Sequence, residues 1–193
     1  MVKVPTEFSK MYIGYPVILI CYIEQNGQPN ISTGSSSFSL GNMMYLGFVS
    51  SGHAIDCIRL TRELVVNVPD KRHMAEIEQC GFTSEKERGK FDLSGHTSVP
   101  SKHVSAPSIL ECPISIECRV EEICTPASHP QYTYVIASIV DRKIDSSLLK
   151  EDGFLDAGLV DPVFFVGDHK QRMYRFANEI AVPLGDFITD AVY

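Results

Sequence analysis

Apolar positions in this chain fall in short runs separated by tight turns. Pro16-Val17-Ile18-Leu19-Ile20-Cys21-Tyr22-Ile23 has strand length and β-branched residues. Gln25-Asn26-Gly27-Gln28 follows. Asn-Gly is a strong hairpin signal, because both residues accept positive φ. Residues 29–33 then form the return strand. Residues 43–49 make a further apolar run, and Ile55, Ile58 and Leu60 are spaced for a short helix over 54–61. Leu64-Val65-Val66-Asn67-Val68 predicts a strand that stops at Pro69.

The middle of the chain is polar and helical. Asp70 is placed to cap a helix over 72–80. Ser84-Glu85-Lys86-Glu87 has the form of a capping box for a helix over 85–90. Strands then return. Ile114, Ile116, Cys118 and Val120 alternate with Ser115, Glu117, Arg119 and Glu121, which predicts a strand with one wet face. Residues 132–140 are its expected partner, across a loop at 125–130. Asp145 caps a short turn, and Pro162-Val163-Phe164-Phe165-Val166 is the last apolar strand. Many short strands with few helices predict a small antiparallel β-barrel rather than a parallel α/β sheet.

Composition narrows the function classes. The 193 residues, 44% of them hydrophobic, suit a single folded domain. The formal net charge is −7, so the chain lacks the clustered cations of a general nucleic-acid binder. The longest apolar run near the start, 17–23, is far short of a membrane span. Acid and proline at Pro5-Thr6-Glu7 stand where a secretory core would begin, so a cytoplasmic location is expected. The six cysteines form no Cys-x-x-Cys, which suits free thiols in a reducing compartment. No metal site is expected.

Three segments carry candidate chemistry. Ser32-Thr33-Gly34-Ser35-Ser36-Ser37-Phe38-Ser39 bears six hydroxyls in eight residues, at a loop or strand edge. Hydroxyls and amides can hold a planar heterocycle or an anion without importing charge. Ser50-Ser51-Gly52-His53 ends a strand and opens a helix, where free N–H groups suit phosphate. Arg88-Gly89-Lys90-Phe91 sets a cation beside an aromatic. Nucleotide-binding glycine loops and the Gly-x-Ser-x-Gly elbow are absent, and the six histidines are scattered.

The order of these segments resembles the flavin reductase-like, FMN-binding split-barrel family. The correspondence runs over 11–174 and leaves 175–193 as a tail. It rests on Pro16-Val17-Ile18-Leu19, on Asn30-Ile31-Ser32-Thr33-Gly34-Ser35-Ser36-Ser37-Phe38-Ser39 and on Ser50-Ser51-Gly52-His53. Thr61-Arg62-Glu63-Leu64-Val65-Val66-Asn67-Val68-Pro69, Lys90-Phe91, and the segments 106–112 and 116–118 continue it. The chain departs from the family at Gly41-Asn42-Met43-Met44, where relatives have a proline pair. It also departs at His53, where arginine is frequent, and at Leu64, where an aromatic is common.

The resemblance implies a mainly β fold: a six-stranded antiparallel Greek-key split barrel with a few short helices, as one domain and usually a homodimer. It implies FMN as cofactor, with FAD as the alternative, and NADH or NADPH as co-substrate. The flavin would rest on Ser32, Thr33, Gly34, Ser35, Ser36 and Ser37. Its phosphate would meet Ser50, Ser51 and His53, and Lys90 would add positive charge. The implied function is an FMN-dependent oxidoreductase passing electrons from a reduced nicotinamide or protein donor to a flavin, ferric or protein acceptor. The alternative is an electron-carrier module without turnover, serving a redox partner protein. Hydride and electron chemistry would belong to the flavin, which accounts for the absence of a visible acid–base pair.

Overall fold

The computed structural model describes residues 1–82, 89–177 and 181–182. The expected helix over 85–90 and its capping box lie largely outside these residues. The elements are β1 (Met11–Pro16), β2 (Ile18–Ile23), β3 (Pro29–Gly34), β4 (Ser37–Leu40) and β5 (Met43–Val49). Helix α1 (His53–Thr61), β6 (Glu63–Val68), α2 (Met74–Phe82) and α3 (Lys90–Ser94) follow. The chain continues through β7 (Ser98–Val99), β8 (Ser108–Ile109), β9 (Ile114–Cys124), β10 (Tyr132–Ile144), β11 (Val163–Asp168) and β12 (Arg172–Phe176). No described helix is long and apolar enough to cross a membrane.

The main sheet has seven strands in the order β3-β2-β6-β9-β10-β5-β4, with every neighbouring pair antiparallel. Its two outermost strands, β3 and β4, are joined by Ser35 and Ser36 alone. A flat sheet with these spacings would hold its edges about 29 Å apart. A two-residue link spans at most about 11 Å between Gly34 and Ser37. The sheet must therefore curl until its edges approach at this corner, which is the open half-barrel of a split barrel.

Helix α1 fills the concave side. Ile55 and Ile58 are fully buried and pack with Ile18, Ile20, Leu64, Val66, Cys118 and Val135. Truncating either isoleucine to alanine should cost about 2–5 kcal/mol. The helix ends because Arg62 turns left-handed at φ 57°, a conformation unusual for a residue with a Cβ. Strand β9 holds it there: the Arg62 guanidinium donates to the carbonyls of Val120 and Glu121 at 3.1 and 2.7 Å.

On the convex side, α2, α3 and the segment 96–112 cover β2, β3 and β6. Leu19, Cys21, Ile31 and Val65 meet Cys80, Phe91, Val104, Ala106 and Ile109 there. A second sheet, β1-β11-β12, sits beside the main one and is tied to it by Val17 N–H donating to the Val163 carbonyl at 2.7 Å. Asp70 caps as expected, accepting from Arg72 N–H at 2.8 Å, but first within a 3-10 turn (Lys71–His73) that runs into α2.

The fold class is mainly β with a split barrel, and two sequence expectations need correction. The main sheet has seven strands, not six, because 37–40 is a strand. Phe38 and Leu40 alternate with Ser37 and Ser39, and Phe38 stacks on Tyr45 at 4.7 Å. Its serine-rich composition conceals that alternation. The face of β9 expected to be wet is dry at one end: Ser115 and Glu117 are 4% and 0% exposed. The segment 96–112 lies over them, and only from Arg119 onward does the face meet water.

Candidate functional site

The pleat divides the hydroxyl run between two faces. Ser32 and Gly34 pair with Ile20 and Ile18, so they lie on the concave side with α1. Thr33 pairs with Leu19 on the convex side, where its hydroxyl donates to the Ile77 carbonyl of α2 at 3.4 Å. Among the described residues, the hydroxyls of Ser32, Ser35, Ser36 and Ser37 have no hydrogen-bond partner, and Ser36 is exposed. They form an uncommitted set of donors and acceptors along the corner where the barrel opens.

Strand β5 fixes this corner relative to the second segment. The Gly47 N–H donates to the Ser36 carbonyl at 2.8 Å, and a Cβ on Gly47 would come within 3.0 Å of Ser36 Cβ. Glycine is needed there for the link to lie close. Ser50 follows three residues later, about 10 Å along the strand direction. It begins the turn into α1. Gly52 is the N-cap, and no side chain caps the helix, so the first-turn amides remain open. Ser51 is exposed and its hydroxyl is uncommitted among the described residues. The Ser50 hydroxyl instead lies 2.9 Å from Thr133 Oγ1.

His53 and Lys90 are each engaged by the protein. His53 Nε2 lies 2.9 Å from Glu24 Oε1 and 3.7 Å from Cys57 Sγ, although its side chain is 64% exposed. Glu24 Oε1 also accepts from Asn30 Nδ2 at 2.6 Å. Asn30 is buried, and its Oδ1 accepts from Lys90 N–H at 3.2 Å. Lys90 Nζ donates to the Cys80 carbonyl in α2 at 2.6 Å, and burial lowers the pKa of this amine. A continuous chain, His53-Glu24-Asn30-Lys90, thus connects the start of α1 with the start of α3.

Several resemblance-bearing residues are structural. Asn67 is fully buried: it donates to the Leu19 carbonyl at 3.2 Å and accepts from Ile109 N–H at 3.0 Å and Ser115 Oγ at 2.7 Å. It therefore binds β2, β6, β8 and β9 together. Phe91 is core. Burial pushes the Glu117 carboxyl up, but the amides of Lys102 and His103 and the Lys143 ammonium outweigh burial and hold its pKa below the ordinary value. All six cysteines are free, five of them buried, and burial pushes Cys21, Cys57, Cys80, Cys112 and Cys118 up. None of these five is a poised nucleophile. No metal-holding group of His, Cys, Asp or Glu occurs among the described residues.

The family model described as flavin reductase like domain matches residues 10–172. The chain belongs to the flavin reductase-like family. Its general chemistry is accordingly flavin-related electron transfer. The flavin reductase-like chain is 29% identical over 171 residues to the protein YdfE of Bacillus subtilis strain 168, covering 80% of this chain and 82% of that one. Its fold is similar to flavoredoxin of Desulfovibrio vulgaris (Miyazaki F), with a TM-score of 0.84 at 23% identity over 96% of this chain and 99% of the other. Flavoredoxin from Methanosarcina acetivorans gives a TM-score of 0.83 at 20% identity, covering 97% of each chain.

Sequence reasoning missed Glu24, Asn30 and Arg59 as members of this neighbourhood. Glu24 and Asn30 flank the Asn-Gly hairpin, and their approach to α1 arises only when the sheet curls. One groove of about 280 Å³ is lined by Ile13, Phe164, Val166 and Arg175 on the small sheet, with none of the candidate residues.

Proposed function

We propose that the chain is an FMN-binding oxidoreductase of the flavin reductase type. In this reading electrons pass from a reduced nicotinamide or a protein donor through FMN to a flavin, ferric or protein acceptor. The observation that carries it is the uncommitted hydroxyl set of Ser32, Ser35, Ser36 and Ser37, in which β5 holds Ser36 about 10 Å from the open turn at Ser50 and Ser51. That spacing suits the ribityl chain between a flavin ring and its phosphate. Family membership supports the same assignment.

The chain's own residues bind and orient. The link at 35–36 offers hydroxyls to the polar edge of the ring. The turn at 50–53 offers amides and hydroxyls to an anion. His53 is steadied by Glu24, and Lys90 supplies positive charge from the α3 side. Flavin, when bound, supplies the hydride and electron chemistry.

We also assign the functional unit as a homodimer. Supporting this is the outer face of β4, β5 and β10, which carries exposed apolar side chains among the described residues. Phe38, Leu40, Val49, Tyr132 and Tyr134 stand exposed there in one patch.

The test is the visible absorption spectrum of the purified protein, followed by titration with FMN. Flavin absorbance, or saturable binding of added FMN, is expected. A protein that shows neither refutes the reading. Steady-state oxidation of NADH or NADPH with FMN present then separates a turning-over reductase from a carrier, for which no sustained turnover appears.

A further inference from the structure

Arg59 makes contacts that packing alone does not require. It projects from the last turn of α1, and its Nη2 donates to Thr133 Oγ1 at 3.1 Å and to Thr125 Oγ1 at 3.3 Å. Thr133 is fully buried on β10. Its hydroxyl already has two hydroxyl neighbours, Ser50 at 2.9 Å and Thr125 at 2.8 Å. Those two satisfy a threonine without help from a cation. Arg59 nevertheless brings a full positive charge to two neutral hydroxyls, those of Thr125 and Thr133. It has no carboxylate partner among the described residues, in a chain with 24 acidic residues against 17 basic ones.

Proton accounting gives the cluster a direction. A guanidinium only donates, so one lone pair of Thr133 is taken by Arg59. Thr133 then accepts from one of its hydroxyl neighbours and donates to the other. If it donates to Ser50, the Ser50 proton is released toward the turn at Ser51. An anion seated there selects that arrangement. The residue is exposed, so the remaining guanidinium N–H groups are open to the same anion.

We infer that Arg59, with the hydroxyls of Ser50, Thr125 and Thr133, is the group that recognises a phosphate monoester at this site. The inference rests on the flavin-binding reading and deepens it by naming the cation. Two ligands carry such a monoester: FMN, through its 5′-phosphate, and NADPH, through its 2′-phosphate.

The experiment compares wild type, Arg59→Gln and Arg59→Lys as full chains, titrated with FMN, riboflavin, NADPH and NADH. Thermal shifts with inorganic phosphate accompany the titrations, and melts in phosphate-free buffer confirm that each variant is folded. Arg59→Gln should bind FMN about tenfold more weakly while riboflavin affinity stays unchanged, with Arg59→Lys in between. It should also lose the phosphate-induced rise in melting temperature. If instead the variant loses its preference for NADPH over NADH and keeps that for FMN over riboflavin, the recognition stands and its monoester is the nicotinamide's. An Arg59→Gln protein indistinguishable from wild type toward FMN, NADPH and inorganic phosphate overturns the inference. A wild type that binds no flavin overturns the flavin reading, and the NADPH and phosphate measurements still decide the role of Arg59.

Discussion

Glu24 Oε1 receives two donors at once, Asn30 Nδ2 at 2.6 Å and His53 Nε2 at 2.9 Å. The two contacts differ in consequence because Asn30 is 4% exposed, whereas the His53 side chain is 64% exposed. Losing Asn30 strands the buried Ile31 N–H and the Lys90 N–H, while losing His53 leaves groups that water can solvate. Asn30→Ala should therefore cost about 2 kcal/mol in urea unfolding, and His53→Ala less than about 1 kcal/mol. Equal costs would show that the chain is not anchored from the inside.

Lys90→Met keeps most of the stem and removes the donor to the Cys80 carbonyl. The loss in stability should be about 1 kcal/mol. Flavin binding should weaken, or the flavin midpoint potential should fall, because a nearby positive charge favours the reduced anion. Burial lowers the pKa of this amine. The difference between variant and wild type should then fade with rising pH earlier than it would for an exposed lysine. Unchanged affinity and unchanged potential would leave Lys90 as a helix-terminal contact only.

Glu117→Gln turns an amide N–H₂ toward the donors Lys102 N–H, His103 N–H and Lys143 Nζ. At neutral pH it should destabilise by about 2–3 kcal/mol. The carboxyl is held below its ordinary pKa, so its contribution is fully present above the unfolded value near about 4.3. It is lost as pH falls through the folded value. Denaturation of the two proteins should converge in strong acid; a gap that persists there would rule out the charge as its source.

His96 titrates with the opposite geometry. Its ring is buried, neither nitrogen has a hydrogen-bond partner among the described residues, and Glu111 Oε2 lies 3.5 Å away. Burial lowers its pKa, outweighing Glu111, with His73 and Glu76 also nearby. The unfolded chain therefore takes up the proton first, and stability should decline as pH falls below about 6.5. His96→Phe should flatten that decline and be no less stable than wild type at pH 7. An unchanged slope between about pH 6.5 and 5 would assign the decline to other groups.

The parts readable in the sequence were those governed by local pattern. The Asn26-Gly27 hairpin forms with Gly27 at φ 81°, and α1, β5 and β6 lie where apolar spacing places them. Strands rich in serine or arginine were hidden, because β4 and β12 gain their pairing from neighbours rather than from their own composition. Ser115 and Glu117 read as wet because alternation reports which face a residue takes, not whether a distant segment covers that face. At the site, the hydroxyl run and the turn at 50–53 were visible as composition. The division of that run by the pleat, and the approach of Glu24, Asn30 and Arg59, required the curl of the sheet.

The two-residue link between β3 and β4 makes the opening of the half-barrel a matter of chain length. One residue inserted between Ser35 and Ser36 would let the rims part by up to about 3.5 Å while leaving every hydroxyl in place. The aperture is thus set by counting residues, and side-chain chemistry is free to vary within a mouth of constant width.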